Sequence, residues 1–597
     1  MVASPGFRPP FGHRRRPLRR SGTRSIRSKA GLSRMGARVR ADRHVAHRNR
    51  ASNESRAAST RMLKIGDGKR WTFLNGAWTD GPEGELIPPD GADVQYVAVI
   101  HDRTYSDFTA TFRIKVRNGF SGTRLLFRLQ DSARYYAFDI PFGGQQRRVR
   151  HFWAGIVIAD GTPLQRYLAL NMVPGITPRK HHWYDLRVAC QGPRLRGWID
   201  GRLAVDVRDD TYAAGRLGLM GIVSPGTETS HFADVEVQPV AAGPSPWPGL
   251  ELPRAHWITP CLELDPEGFQ CYPGLIRTGS GELVAEIKLE RPGRPAAPAC
   301  WVRSRDQGRT WSQPQPVPES LPGGMGEYDA PYVRQDGTLV LVRCRPPDEQ
   351  SEGKPQDALY TFESTDDGST WTGPHRFVVK GDWPAEFSLP NSVPCRPLRL
   401  RDGTLLVLAR CKVTTKTHFQ DWVMSNFVFR STDDGITWSA PVRADACNGG
   451  FEPWFQAAFL TETGLAETDD NVVVGLSRPQ LSPFMWQLQS HDGGRTWEPA
   501  ACAAFPGYCI SLTRTVQGAL VAVKRTPYLT AHVSWDGGRN WDKGTILDYA
   551  GWANHSAVEV EPDVVLVIYM GDLNRPGQAD TRVLRLRVQR EVLRLAE

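Results

Sequence analysis

No stretch of this 597-residue chain approaches the ~20 consecutive apolar residues of a membrane-spanning helix, so no span is expected. Its ten cysteines include no Cys-x-x-Cys pair, and Cys344 and Cys411 sit inside strand-like runs as small apolar residues. No metal site and no cofactor are expected. No apolar stretch of signal-peptide length follows Arg14, Arg15 and Arg16 or Met62, which makes the cytoplasm the expected location. Acidic residues are scarce at the start: in residues 1–61 only Asp42 and Glu54 oppose sixteen Arg and Lys29. That arm carries +15 of a chain total of +10, leaving −5 for the other 536 residues. The basic balance therefore belongs to an arm poor in apolar residues, which is expected to be disordered. Charge alone would draw it to nucleic acid or anionic lipid. The plainer expectation is that it is not a designed element, since Met62 opens Met-Leu-Lys-Ile-Gly just before the first foldable segment and marks an alternative start. No specific nucleic-acid partner is expected.

What the chain has is a repeat. Ser304–Trp311, Ser364–Trp371, Ser431–Trp438, Ser490–Trp497 and Ser534–Trp541 each read Ser-x-Asp-x-Gly-x-x-Trp, and their starts lie 60, 67, 59 and 44 residues apart. Such spacing suits one four-stranded propeller blade with variable loops. The Asp caps backbone N–H groups of a tight turn, the Gly takes a conformation closed to other residues, and the Trp folds back between blades. A calcium loop would need more clustered oxygen ligands than one Asp supplies.

The expected fold is all-β: a β-sandwich over 68–240, a Pro-rich linker over 241–250, and a six-bladed β-propeller over 251–597. In the first part, alternating runs (Phe108 to Val116, Arg124 to Leu129, Tyr135 to Ile140, Tyr184 to Ala189) are separated by Gly, Asn and Asp turns. In the second, inner strands are expected near Tyr272, Asp329, Ser392, Pro453, Cys509 and His555, with a sixth blade that lacks the repeat. A strand within Ala255–Leu264 would close the ring.

If the repeats mark the bottom of each blade, functional groups gather at the opposite end, where the first strand begins and the second ends. The second strands close on Arg343 and Arg345, Arg410 and Lys412, Arg478, and Lys524 and Arg525, with Lys288 in blade one. A ring of cations suits an anionic substrate, since Arg binds a carboxylate bidentately, although Lys and Arg also commonly end exposed strands. The first strands supply Glu327, Asp329, Glu452 and His555, groups fit for acid–base work on a glycosidic bond, against the alternative of a hydrogen-bonded structural histidine. Tyr272 and Trp454 are further substrate-binding candidates.

The repeats resemble the Asp-boxes of the sialidase family of six-bladed propellers, over about 340 residues. The stretch Trp183–Val188, with Gly197–Gly201, Gly218–Gly221 and Phe232–Val235, resembles concanavalin-like jelly rolls of the 3-keto-disaccharide hydrolase kind, where a concave sugar-binding face is common and a spacer is the alternative role. The resemblance implies a glycoside hydrolase and assigns family positions to Glu452, Pro453 and Arg478, with Arg525 one residue out of register. Three positions depart from it. Cys271 stands for the first carboxylate-binding Arg, His555 stands for the nucleophilic Tyr, and the loop from Leu289 to Ala299 has no Asp. Cys cannot make a bidentate charge pair, and a neutral His replaces a Tyr nucleophile poorly. The expectation is therefore a carbohydrate-active protein, a sialidase-like hydrolase on an anionic or other terminal sugar without authentic sialidase activity. The alternative is a non-catalytic lectin-like protein.

Overall fold

The computed structural model describes residues 71–89, 95–117, 122–141, 152–176, 179–222, 230–238, 262–263, 274–288, 299–325, 329–344, 358–384, 390–393, 395–412, 424–445, 460–479, 484–525, 528–549, 551–571, 581–590 and 593–596. The arm, the 241–250 linker, Glu327, Arg345, Glu452, Trp454, Cys271 and Tyr272 lie outside them. The described residues are strands and turns. None forms a helix long and apolar enough to cross a membrane.

Residues 71–238 form two antiparallel layers of seven strands. One runs, in spatial order, 71–73, 95–105, 215–222, 122–131, 134–141, 152–160 and 165–173; the other 202–208, 194–199, 182–191, 108–116, 231–238, 86–87 and 79–80. Phe108–Val116 alternates buried and half-buried positions, as a strand with one covered face should. Tyr135–Pro141 is buried at every position, because both of its faces are covered. Tyr136, Phe138 and Ile140 enter the sandwich core beside Phe112 and Leu186. Tyr135 and Ala137 face the other way, into a cluster that includes Tyr528 and Ile546 of the propeller.

From residue 262 on, five separate antiparallel sheets stand as propeller blades. Their strand order is 275–277, 283–288, 299–304, 315–316; then 330–333, 339–344, 359–364, 372–376; then 390–392 with 398–399, 405–412, 424–431, 442–443; then 463–467, 473–477, 484–490, 501–506; and finally 551–561, 564–571, 581–588. Leu262 and Glu263 add an edge to the last of these, opposite Val583 and Arg582. Strands 508–514, 520–525, 529–534 and 545–548 follow the same order, but they are not a separate sheet. Thr545 pairs with Arg166 and Ile546 with Gln165, which joins these four strands to the sandwich layer.

Apolar clusters glue each blade to the next. Ile276 and Val284 pack with Leu341 and Phe362; Val340 and Val342 with Val407 and Phe429; Leu406 and Val428 with Val473 and Leu488. Leu476 meets Leu520, and Val521 meets Val565 and Leu584. Leu566 and Ile568 then return to Leu283 and Ile287 of the first blade.

All five repeats share one Ser–Asp–Gly hydrogen-bond pattern. The Ser hydroxyl donates to the Asp carboxylate (2.8–2.9 Å) and accepts from the Gly N–H (2.8–2.9 Å). The Asp carboxylate also caps the backbone N–H and side chain of the residue before Trp: Thr310, Thr370, Thr437, Thr496 or Asn540. Gly308 sits at φ +86°, and a Cβ there would collide with Leu566 of the neighbouring blade. Trp371 packs against Trp301 of the blade before it, at 6.4 Å between centroids. The repeat is thus a turn and an inter-blade wedge together.

Pro453, the expected start of the fourth inner strand, lies outside the described residues. The inner strand of the fourth blade is Thr463–Glu467, ten residues after Pro453. The tight turn at 468–472, where Asn471 takes φ +59°, fixes its pairing with Val473–Ser477.

Candidate functional site

Register places the two ends of each blade. Leu339 pairs with Ser364, Leu405 with Ser431, Val473 with Ser490 and Leu520 with Ser534, so each second strand starts beside a repeat. Its other end, carrying Arg343, Arg410, Arg478 or Arg525, therefore lies away from the repeats.

Three of these arginines gather around one carboxylate that the sequence reading passed over. Backbone pairing runs one step past the strands: Thr461 N–H donates to Arg478 C=O at 3.0 Å and Arg478 N–H to Glu462 C=O at 2.8 Å. The two side chains thus lie together, and Arg478 Nη1 donates to Glu462 Oε1 at 2.6 Å. Arg410 Nη1, from the preceding blade, stands 3.6 Å from the same oxygen. Arg525 comes from the next blade. Its guanidinium and that of Arg478 both lie over the Tyr508 ring, 4.6 and 3.4 Å from the centroid.

Burial works against the Glu462 charge, but Arg478, Arg410 and Arg525 outweigh it and hold the carboxyl down to about 2. Glu462 is therefore an anion at any working pH and cannot serve as a general acid. It orients the arginines. One carboxylate against three guanidiniums leaves a net charge of about +2, which suits an anionic group on a ligand.

Arg343 is held differently. It bridges Asp329 (2.9 Å) and donates to the carbonyls of Pro322 (2.9 Å) and Gly324, so both Arg343 and Asp329 are engaged within the protein. His555 lies on strand 551–561 and Lys412 ends strand 405–412, but their side chains, with that of Lys288, lie outside the description.

Asp445 was also missed. It accepts from Asn426 N–H at 2.8 Å and pairs with Arg443 at 3.0 Å; burial nevertheless pushes its carboxyl up. Its side chain is 3% exposed, too little to meet a substrate. A signal for Glu462 did exist: Glu462 and Arg478 are equidistant from Asp470 at the centre of an Asp-Asp-Asn turn, so a hairpin there must juxtapose them. Among the described residues, no group of three or more His, Cys, Asp and Glu is placed to hold a metal ion.

Residues 327–559 match the family model of the BNR repeat-like domain. The propeller carries BNR repeats. Residues 64–237, upstream of the BNR propeller, match the 3-keto-alpha-glucoside-1,2-lyase-like domain. Levanase of Bacillus subtilis (strain 168) is 28% identical over 157 residues, 25% of this chain; the match spans only 20% of the levanase. Among solved structures, a protein of unknown function from Dyadobacter fermentans is similar at TM-score 0.44 and 18% identity, covering 55% of this chain and 97% of that one. A Hadza microbial sialidase is similar at TM-score 0.41 and 15% identity, covering 86% and 98%. The chain thus joins a domain matching the 3-keto-alpha-glucoside-1,2-lyase-like model to a propeller with BNR repeats.

Proposed function

We propose that the protein is a glycoside hydrolase that holds an anionic terminal sugar at the arginine-lined end of a six-bladed ring, with strands 508–548 as the fifth blade. The observation carrying this reading is the convergence of Arg410, Arg478 and Arg525, from the ends of three successive second strands, on the single carboxylate of Glu462. A sugar carboxylate would dock on the surplus charge, and Tyr508 would hold two of the guanidiniums against its ring. Glu452 and His555 are the proposed acid and base, and Arg343 with Asp329 a rigid wall of the same end. Cys271 in place of an arginine argues for a substrate other than a sialoside.

The test is a panel of neutral glycosides, uronic-acid oligosaccharides and sialosides offered to the full chain. Turnover of a carboxylate-bearing sugar, abolished in Glu452→Gln and His555→Ala and weakened mainly in KM by Arg478→Ala, supports the reading. Tight binding with no turnover of any member favours a lectin. Sialic acid release that survives the Glu452 and His555 changes overturns the residue assignment.

A further inference from the structure

The strands that join sandwich to propeller also border a cavity of about 310 Å³. That volume lies at the small end of ligand pockets, roughly 300–1,000 Å³. Its walls come from residues 166–168 of the sandwich, residues 533, 535 and 542–545 of the propeller, and residues 589, 590 and 593 near the end of the chain. It opens beside the fifth repeat, whereas the arginine cluster lies at the other end of the strands.

Its lining is unusual for a domain seam. Arg166, Lys543 and Arg590 contribute three cations. Asp542 is the one carboxylate among the lining residues, and its Oδ1 already accepts from Val533 N–H (3.1 Å) and Gly544 N–H (3.0 Å). Arg166 Nε is buried with no hydrogen-bond partner.

The platform is Trp535. It is the second residue of the fifth repeat, a position whose side chain takes no part in the turn. The other four repeats place Arg305, Thr365, Thr432 and His491 there, all polar. Only the blade whose strands pair with the sandwich carries an indole at this place, and it is half-buried and lines the cavity. The Arg590 guanidinium carbon lies over its ring, 5.8 Å from the centroid, so a sugar would share that face with a cation. Aromatic face, flanking cations and the amide of Gln589 together match a sugar ring that carries a carboxylate.

We propose that this cleft is a second carbohydrate site, which takes a short acidic glycan with a sugar ring on Trp535 and its carboxylates on Arg166, Lys543 and Arg590. The inference rests on the carbohydrate-active reading of the fold but not on catalysis. Two sites on different faces would let the protein hold an acidic polymer while working on one of its ends.

The experiment is calorimetric titration of digalacturonate into the full chain bearing Arg478→Ala, which disables the propeller-end site. Expected are saturable binding that weakens as salt rises, no binding of the neutral digalactose, and at least about a tenfold loss of affinity in Lys543→Gln/Arg590→Gln, both exposed side chains, and in Trp535→Ala. Absence of binding, retained affinity in the Lys543/Arg590 double variant, or equal binding of the neutral disaccharide overturns the proposal. Binding at this site without turnover by the unmodified protein would count only against the proposed hydrolase.

Discussion

Arg124 of the sandwich donates to the hydroxyl of Tyr549 in the propeller at 2.6 Å, although 425 residues separate them. The same guanidinium bridges Asp139 at 2.7 Å and Gln165 at 2.8 Å. Asp139 in turn accepts from Tyr167 (2.6 Å) and from Tyr528 (3.2 Å) of the propeller, and Tyr549 also meets Gln165. Arg124 and Asp139 are both 0% exposed. A buried charge pair is tolerable only when its remaining donors and acceptors are matched, and here the propeller supplies two of the partners. The sandwich therefore depends on the propeller for part of this buried network.

Asp139→Asn leaves the Arg124 charge buried without a counterion. We expect destabilisation of about 3–5 kcal/mol, read as a lower urea midpoint. Tyr549→Phe, which removes one acceptor, should cost about 1–3 kcal/mol. In both cases the unmodified protein should unfold in one transition, and the Asp139 variant should separate sandwich from propeller. A wild-type protein that already melts in two steps would contradict the docking argument.

Glu462→Gln removes the anion that gathers Arg410, Arg478 and Arg525. Stability should fall by about 3–5 kcal/mol, and added sulfate should restore part of it by replacing the lost charge. No response to sulfate would mean that the guanidiniums do not stay together.

The repeat carboxylates predict acid behaviour. Hydrogen bonds from Thr310 hold Asp306 down to about 2. In Asp492, burial opposes the charge but Thr496 and Ser490 win, again to about 2. A carboxyl whose folded value lies below its unfolded value of about 3.9 favours the fold above pH ~4 and loses that contribution as pH falls toward 2. Thermal stability should therefore drop between pH 4 and 2. The drop should shrink when Asp306 and Asp492 are both replaced by Asn, at the cost of a lower midpoint at neutral pH.

Lys524 gives the opposite case. Complete burial lowers its ammonium to about 7, with Asp542 opposing. Between pH 7 and about 10.5 the unfolded chain binds the extra proton, so stability rises with pH across that window. Lys524→Met should raise the melting temperature at pH 6, and the gain should vanish near pH 10.5. An equal gain at both values would show that packing, not charge, sets the effect.

Much of the scaffold was legible because its signals are local. Ser-x-Asp-x-Gly-x-x-Trp closes its own turn within eight residues, and the run Phe108–Val116 alternates because one face meets a core. Arg343, Arg410, Arg478 and Arg525 could be placed at one end of the blades by counting from the repeats. Glu462 lies outside the Glu-Pro pair at 452–453, and its role depends on the hairpin that carries Arg478 back beside it.

The amino-acid sequence by itself determined the repeat turns, the strand alternation and the excess of arginine at the second-strand ends. Only the tertiary structure decided that Glu462 collects three of those arginines, that Arg343 is tied to Asp329, and that the sandwich shares a sheet with the propeller through Thr545 and Arg166. The reason is range. Turns and alternation are set by neighbours along the chain, whereas a buried charge such as Glu462 takes its meaning from groups that come close in space only after the blades have closed.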